Sequence, residues 1–132
     1  MIGNVPSPIN FLAACAWILL GVLSGTMQGL FFHNEDWLGG YGSWQRRMLR
    51  LGHISFFGLA FLDLAFLDSV AYLKLTPEAV RWTARLILVG MVSMPSVCYL
   101  SAYNKNFRHL FFIPVGSLLF GIGLFIYEAA RR

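Results

Sequence analysis

His33, His53 and His109 stand at the mouths of long apolar runs, where an imidazole is costly beside lipid unless something binds or hydrates it. Arg50 precedes His53 by one helical turn and Arg108 stands directly before His109, so each of these imidazoles comes with a guanidinium on its watery side. A heme b lying between two helices needs such a set. The iron takes an imidazole on each face, and an arginine holds each propionate bidentately. Phe56, Phe57, Phe111 and Phe112 supply apolar walls, and Gly52 and Gly116 leave room for the ring. His33 is a third candidate, able to replace either ligand or to hold a second metal with Glu35 or Asp36. A zinc or copper site of all three histidines has no use for the arginines, which ranks heme above it. The plainer alternative is that each histidine meets only water and headgroups at an interface.

Asp63 is the other reactive anomaly, because it falls about a dozen residues into an apolar run. A charged side chain at that depth costs roughly 2.5 to 3.5 kcal/mol on insertion scales. Such an acid must be neutral, paired or hydrated. Arg85 can reach toward it, and Asp68, nearer the end of the run, is the easier partner for Arg81 or Arg85. A buried ion pair that fixes helix register is the structural reading, and a proton relay or quinone-pocket acid is the functional one.

The elements that position these residues follow from composition. The chain has 132 residues, 58% hydrophobic and 12% charged, with 12 Phe and 4 Trp, and its mean hydropathy is +0.65. That exceeds what a soluble domain of this length carries. A span needs about 20 apolar residues, and spans of about 9–32, 49–72, 80–103 and 107–127 use up a single transmembrane domain covering 1–132. The expected fold is all-α, an integral membrane four-helix up-down bundle, because tight turns make successive helices antiparallel neighbours. Alternate connections then share a side, which puts the three histidines at one face. The opening MIGNVPSPIN lacks the basic region of a signal peptide, so the first span is read as a mature helix with Ser7 or Asn10 as its cap. Thr76, Pro77 and Glu78 form a helix start, and Asn34–Arg47 reads as the one long loop.

Gly21, Gly25 and Gly29 repeat every four residues along one stripe, the spacing that lets another helix backbone approach. Gly116, Gly121 and Gly123 lack that period and read as ordinary. Pro95 should kink the third span and free the carbonyl one turn earlier for Ser93, Ser96 or water. Cys15 and Cys98 sit at different depths, too far apart for a disulfide, and both read as apolar fillers. The net charge of +4 reads as interfacial anchoring rather than nucleic-acid binding.

The stretch RxxxLGHISFF, ending at Phe57, resembles the His-bearing second helix of the heme-copper oxidase catalytic-subunit family. In that family an arginine-preceded histidine near the outer surface holds a low-spin heme, and the resemblance implies that role for His53. It covers one helix of four. The family's further spans and copper-binding histidines have no counterpart here, so oxygen reduction by this chain alone is not implied.

These readings together predict a heme-b electron-transfer subunit of a respiratory or photosynthetic complex, linked to quinol, with other membrane subunits and the lipid bilayer as partners. A cofactor-free structural accessory subunit is the first alternative. A small oligomeric transporter with Asp63 and Gln28 lining a path is the second. The sequence shows no nucleotide loop, nucleophile with its base, HExxH helix or CxxCH, so hydrolase, ATPase and covalent c-type heme are set aside. Lysine and arginine do not fix orientation, because Lys74, Arg81, Arg85, Arg131 and Arg132 balance Arg46, Arg47, Arg50, Lys105 and Arg108. The paired terminal arginines and the aromatic first loop favour cytoplasmic termini, in a bacterial inner membrane.

Overall fold

Among the described residues, four helical stretches are long and apolar enough to cross a membrane. The computed structural model describes residues 8–132, in which the helices are α1 (Pro8–Phe31), α2 (Trp44–Tyr72), α3 (Pro77–Tyr103) and α4 (Phe112–Ala130). Two short 3₁₀ segments, Trp37–Gly39 and Lys105–Phe111, join them. Ser7, one of the two expected caps, lies outside the described residues. Asn10, the other, is inside α1 and buried, so it is no cap.

Local capping explains where the observed helices depart from the expected spans. Ser43 caps α2, its Oγ accepting from Arg46 N at 3.2 Å. The last four residues of the expected Asn34–Arg47 loop are therefore helical, and Arg46 and Arg47 ride on the first turn of α2. Thr76 caps α3 by accepting from Ala79 N at 3.4 Å, with Pro77 opening the helix and Glu78 in its first turn. Asn104 ends α3, and its Oδ1 accepts from Asn106 N at 3.0 Å. The last span enters as the 3₁₀ segment and becomes α-helical only at Phe112.

Helices pack mainly in sequence order, α1 on α2, α2 on α3 and α3 on α4, and Phe66 of α2 also meets Phe125 of α4 edge-on at 5.7 Å. The arrangement is an antiparallel up-down row that does not close on itself. Its centre is α3, whose most apolar window is 44% buried against 17% for α1 and for Lys105–Ala130. Ala14, Leu59, Ala60, Phe66, Ile87 and Met91 form the heart of the core.

Small residues set how closely the helices approach. A methyl group at Gly21 would come within 2.8 Å of the Phe57 ring, and one at Gly25 within 2.5 Å of His53 Cε1. Phe57 and His53, four residues apart on α2, thus fill hollows four residues apart on α1. Gly29 has nothing within 4 Å of such a methyl, so the expected stripe has two working members. Gly121, read as ordinary, is a third hollow, since a methyl there would lie 2.9 Å from Leu86 Cβ. Gly90 on α3 likewise receives Leu118.

Pro95 has no N–H to give the carbonyl four residues back, that of Met91. Trp17 of α1 supplies the missing donor, its indole Nε1 donating to Met91 O at 2.8 Å. Ser93 and Ser96, the expected donors, instead bond Val89 O and Val92 O within their own helix. Both cysteines are free, with Cys98 buried as a filler and Cys15 exposed.

Candidate functional site

His53 is half-buried and turned toward α1. Its Nδ1 lies 3.0 Å from Ser24 Oγ, its ring occupies the hollow at Gly25, and it meets Phe57 edge-on at 5.5 Å. His109 and Arg108 are exposed on the 3₁₀ segment Lys105–Phe111, which packs on α3 and α4. The two imidazoles, expected to share one site, thus stand in different surroundings, His53 against α1 and His109 exposed beside α3 and α4. Position along a helix fixes depth, but the direction around the axis depends on packing, and packing turns His53 to α1.

Neighbouring groups already fill space around His53. The His53 ring abuts the α1 backbone, and the space expected beside it at Gly52 is filled by Tyr99, whose ring would lie 3.1 Å from a methyl there. Arg50, expected to hold a propionate, donates to Tyr41 O at 3.0 Å and lies over the Tyr41 ring at 4.1 Å. His33 is exposed just beyond α1. Among the described residues no group of three or more His, Cys, Asp or Glu side chains is placed to hold a metal ion, which corrects the three-histidine zinc or copper alternative.

The acids also depart from expectation. Asp63 is fully buried and paired with an amide rather than a cation: Asn10 Nδ2 donates to its Oδ1 at 2.9 Å and to Ala84 O at 3.2 Å. Arg85 is exposed and lies over the Trp82 ring at 5.6 Å. Asp68 is exposed too. Among the described residues the ion pairs are those of Glu128 with Arg131 and Arg132, so neither Asp63 nor Asp68 forms the expected pair with Arg81 or Arg85.

What α1, α2 and α3 do build is a cleft of about 470 Å³, within the range of roughly 300 to 1,000 Å³ that suits small-molecule ligands. Phe31, Trp37, Phe56 and Tyr99 give it aromatic walls. Ser24 and Gln28, one turn apart on α1, also line it, though nearly all of its surface is apolar. Ser24 also bonds His53, which joins that imidazole to the cleft. Gln28 Nε2 donates to Leu49 O at 3.2 Å, but its Oε1 and the Tyr99 hydroxyl are buried without any partner.

Asn10, Ser24 and Tyr99 were not singled out from the sequence as site residues. A polar side chain inside an apolar run is a signal of its own, and Asn10 carried that signal but was read as a cap. Comparison with protein-family models, with curated proteins and with solved structures found no match for the chain.

Proposed function

We propose that the protein is an integral membrane subunit whose α1–α2–α3 cleft takes up a lipid-soluble small molecule from the bilayer. One observation carries this reading. The cleft opens on the apolar outer side of α1, where Leu23 and Met27, 53% and 65% exposed, form part of its rim. A molecule reaching it from that side leaves hydrocarbon and never crosses water. The faces left uncovered support the membrane placement: Leu12, Leu19 and Leu30 on α1 and Leu119, Phe120 and Ile126 on α4 are all exposed, a pattern that favours lipid over water.

Of the expected functions, the link to a lipid-soluble partner is the one that this reading draws on. The test is photolabelling in lipid nanodiscs with an alkyl diazirine probe, followed by peptide mapping. Labelling at Leu23, Met27 and Leu49 that excess unlabelled apolar competitor removes, while other outward faces stay labelled, is the expected result. Uniform labelling of every outward face, indifferent to competitor, overturns the reading.

A further inference from the structure

Asp63 and Asn10 are joined by one bond inside the bundle, and each keeps one oxygen with nothing to bond. The two residues are 0% and 1% exposed. Asn10 Nδ2 gives one hydrogen to Asp63 Oδ1 and the other to Ala84 O, so it has none left for Asp63 Oδ2. Ala84 O only accepts, which fixes the amide with its nitrogen toward it. Asp63 Oδ2 and Asn10 Oδ1 remain, both buried and both without a partner. Each is the neighbour of a bonded atom on the same small planar group, Oδ2 beside Oδ1 on the carboxyl and Oδ1 beside Nδ2 on the amide. No cation answers the acid. α1 carries no Lys, Arg, His, Asp or Glu, and its thiol, Cys15, is exposed. On α2, Asp68 is exposed and His53, nearly three turns away, is bonded to Ser24. Arg81 and Arg85 of α3 are exposed, and Glu128 of α4 is paired with Arg131 and Arg132.

We propose that Asp63 is a proton-binding site: the proton sits on Oδ2 and is donated to Asn10 Oδ1, and its loss loosens the joint between α1 and α2. One proton settles both orphaned atoms, because a protonated carboxyl donates from one oxygen and still accepts at the other. Acid and amide then face each other through two bonds in place of one. Without the proton, two acceptors stand opposed and a bare charge is left nine residues before the end of α2 at Tyr72, roughly 14 Å at helical rise. Apolar surroundings penalise such a charge. The joint is the part that gives, since Asn10 lies in the first turn of α1 and can move with that end of the helix alone. The proton therefore stabilises the fold, and its contribution is lost as pH rises. α1 is also a wall of the cleft, so the proton sets how firmly that wall is held, whatever the cleft binds.

The experiment follows thermal unfolding of the full-length protein and of Asp63→Asn in nanodiscs from about pH 5 to about pH 9. The asparagine offers an N–H where the acid offers its O–H and cannot lose it. Over this range the wild-type melting temperature should fall by about 3 °C or more relative to the variant, whose profile keeps only the slope due to other groups. Infrared spectroscopy reads the proton itself. Wild type made with aspartate carrying heavy carbon at the carboxyl should show, at the lower pH, an isotope-shifted carbonyl band of a protonated acid that fades as pH rises. Asp36 and Asp68, the other aspartates, are exposed and ionised above about pH 5, so the band belongs to Asp63 even where the variant folds poorly. Asn10→Ala removes the acceptor and should move the band. Parallel pH profiles of wild type and Asp63→Asn, or no protonated-acid band at the lower pH, overturn the proposal. A band unmoved in Asn10→Ala overturns the donation to Asn10 and with it the joint.

Discussion

Asn10 of α1 and Asp63 of α2 meet amide to carboxyl at 2.9 Å, both sealed from solvent. The same Asn10 nitrogen reaches Ala84 O on α3 at 3.2 Å, so one side chain joins three helices. Asn10 Oδ1 and Asp63 Oδ2 are left over without a partner.

This geometry separates two substitutions of the acid. Asp63→Asn keeps an acceptor for Asn10 Nδ2 and presents an N–H to the unpaired Asn10 Oδ1, so stability should be unchanged or slightly raised. Asp63→Leu removes the acceptor and should cost about 1 to 3 kcal/mol. Thermal unfolding in detergent reads both. An Asn variant as unstable as the Leu variant would show that the carboxyl does something an amide cannot.

Trp17 and Pro95 should be coupled through the Met91 carbonyl. Trp17→Phe strips that oxygen of its donor and should cost about 1 kcal/mol beyond lost packing. Pro95→Ala returns a backbone N–H to it, so the indole matters less in that background. A double-mutant cycle should show an interaction of about 0.5 kcal/mol or more. Strict additivity would mean that the indole bond contributes nothing.

Gly25 and Gly29 look equivalent in the sequence and are not so in the fold. Gly25→Ala drives a methyl into His53 and should destabilise by about 1 to 3 kcal/mol, the usual range for overpacking. Gly29→Ala meets empty space and should stay within about 0.5 kcal/mol of wild type. Melting temperatures of the two variants, compared side by side, decide the matter.

At the end of α4, Glu128 accepts from Arg132 Nη2 at 2.7 Å and from Thr76 N at 3.4 Å. Arg132 is well exposed, its side chain at 42%, so Arg132→Ala should change stability by less than about 1 kcal/mol and less still in high salt. Glu128→Ala also strips the start of α3 of an acceptor and should cost more. Equal effects would mean that the contact with Thr76 carries no weight.

The number of helices, their order and the start of α3 were legible because each rests on local chemistry: an apolar run, a turn, a Thr-Pro-Glu cap. The start of α2 was not, since Trp44–Arg47 is polar enough to pass for loop and only Ser43 betrays the cap. What no local pattern encodes is which way a helix turns about its axis. His53 and His109 stand at similar places in their runs, yet one faces α1 and the other is exposed beside α3 and α4. Gly90 and Gly121 escaped notice for the same reason, because a glycine becomes a hollow only when a neighbour such as Leu118 or Leu86 is aimed at it. Asn10 and Asp63, polar residues inside apolar runs, gave a long-range hint, and each was assigned elsewhere.

Both bonds from α1 to α3, Asn10 to Ala84 and Trp17 to Met91, span the same sequence separation of 74 residues. α1 thus holds two donors whose acceptors are made much later than itself. Until α3 exists, α1 can hold only to α2, through its glycine hollows and through the contacts of Asn10 with Asp63, Ser24 with His53 and Gln28 with Leu49. Full seating of α1 therefore waits for α3, and a chain interrupted before α3 leaves the Trp17 indole without its acceptor.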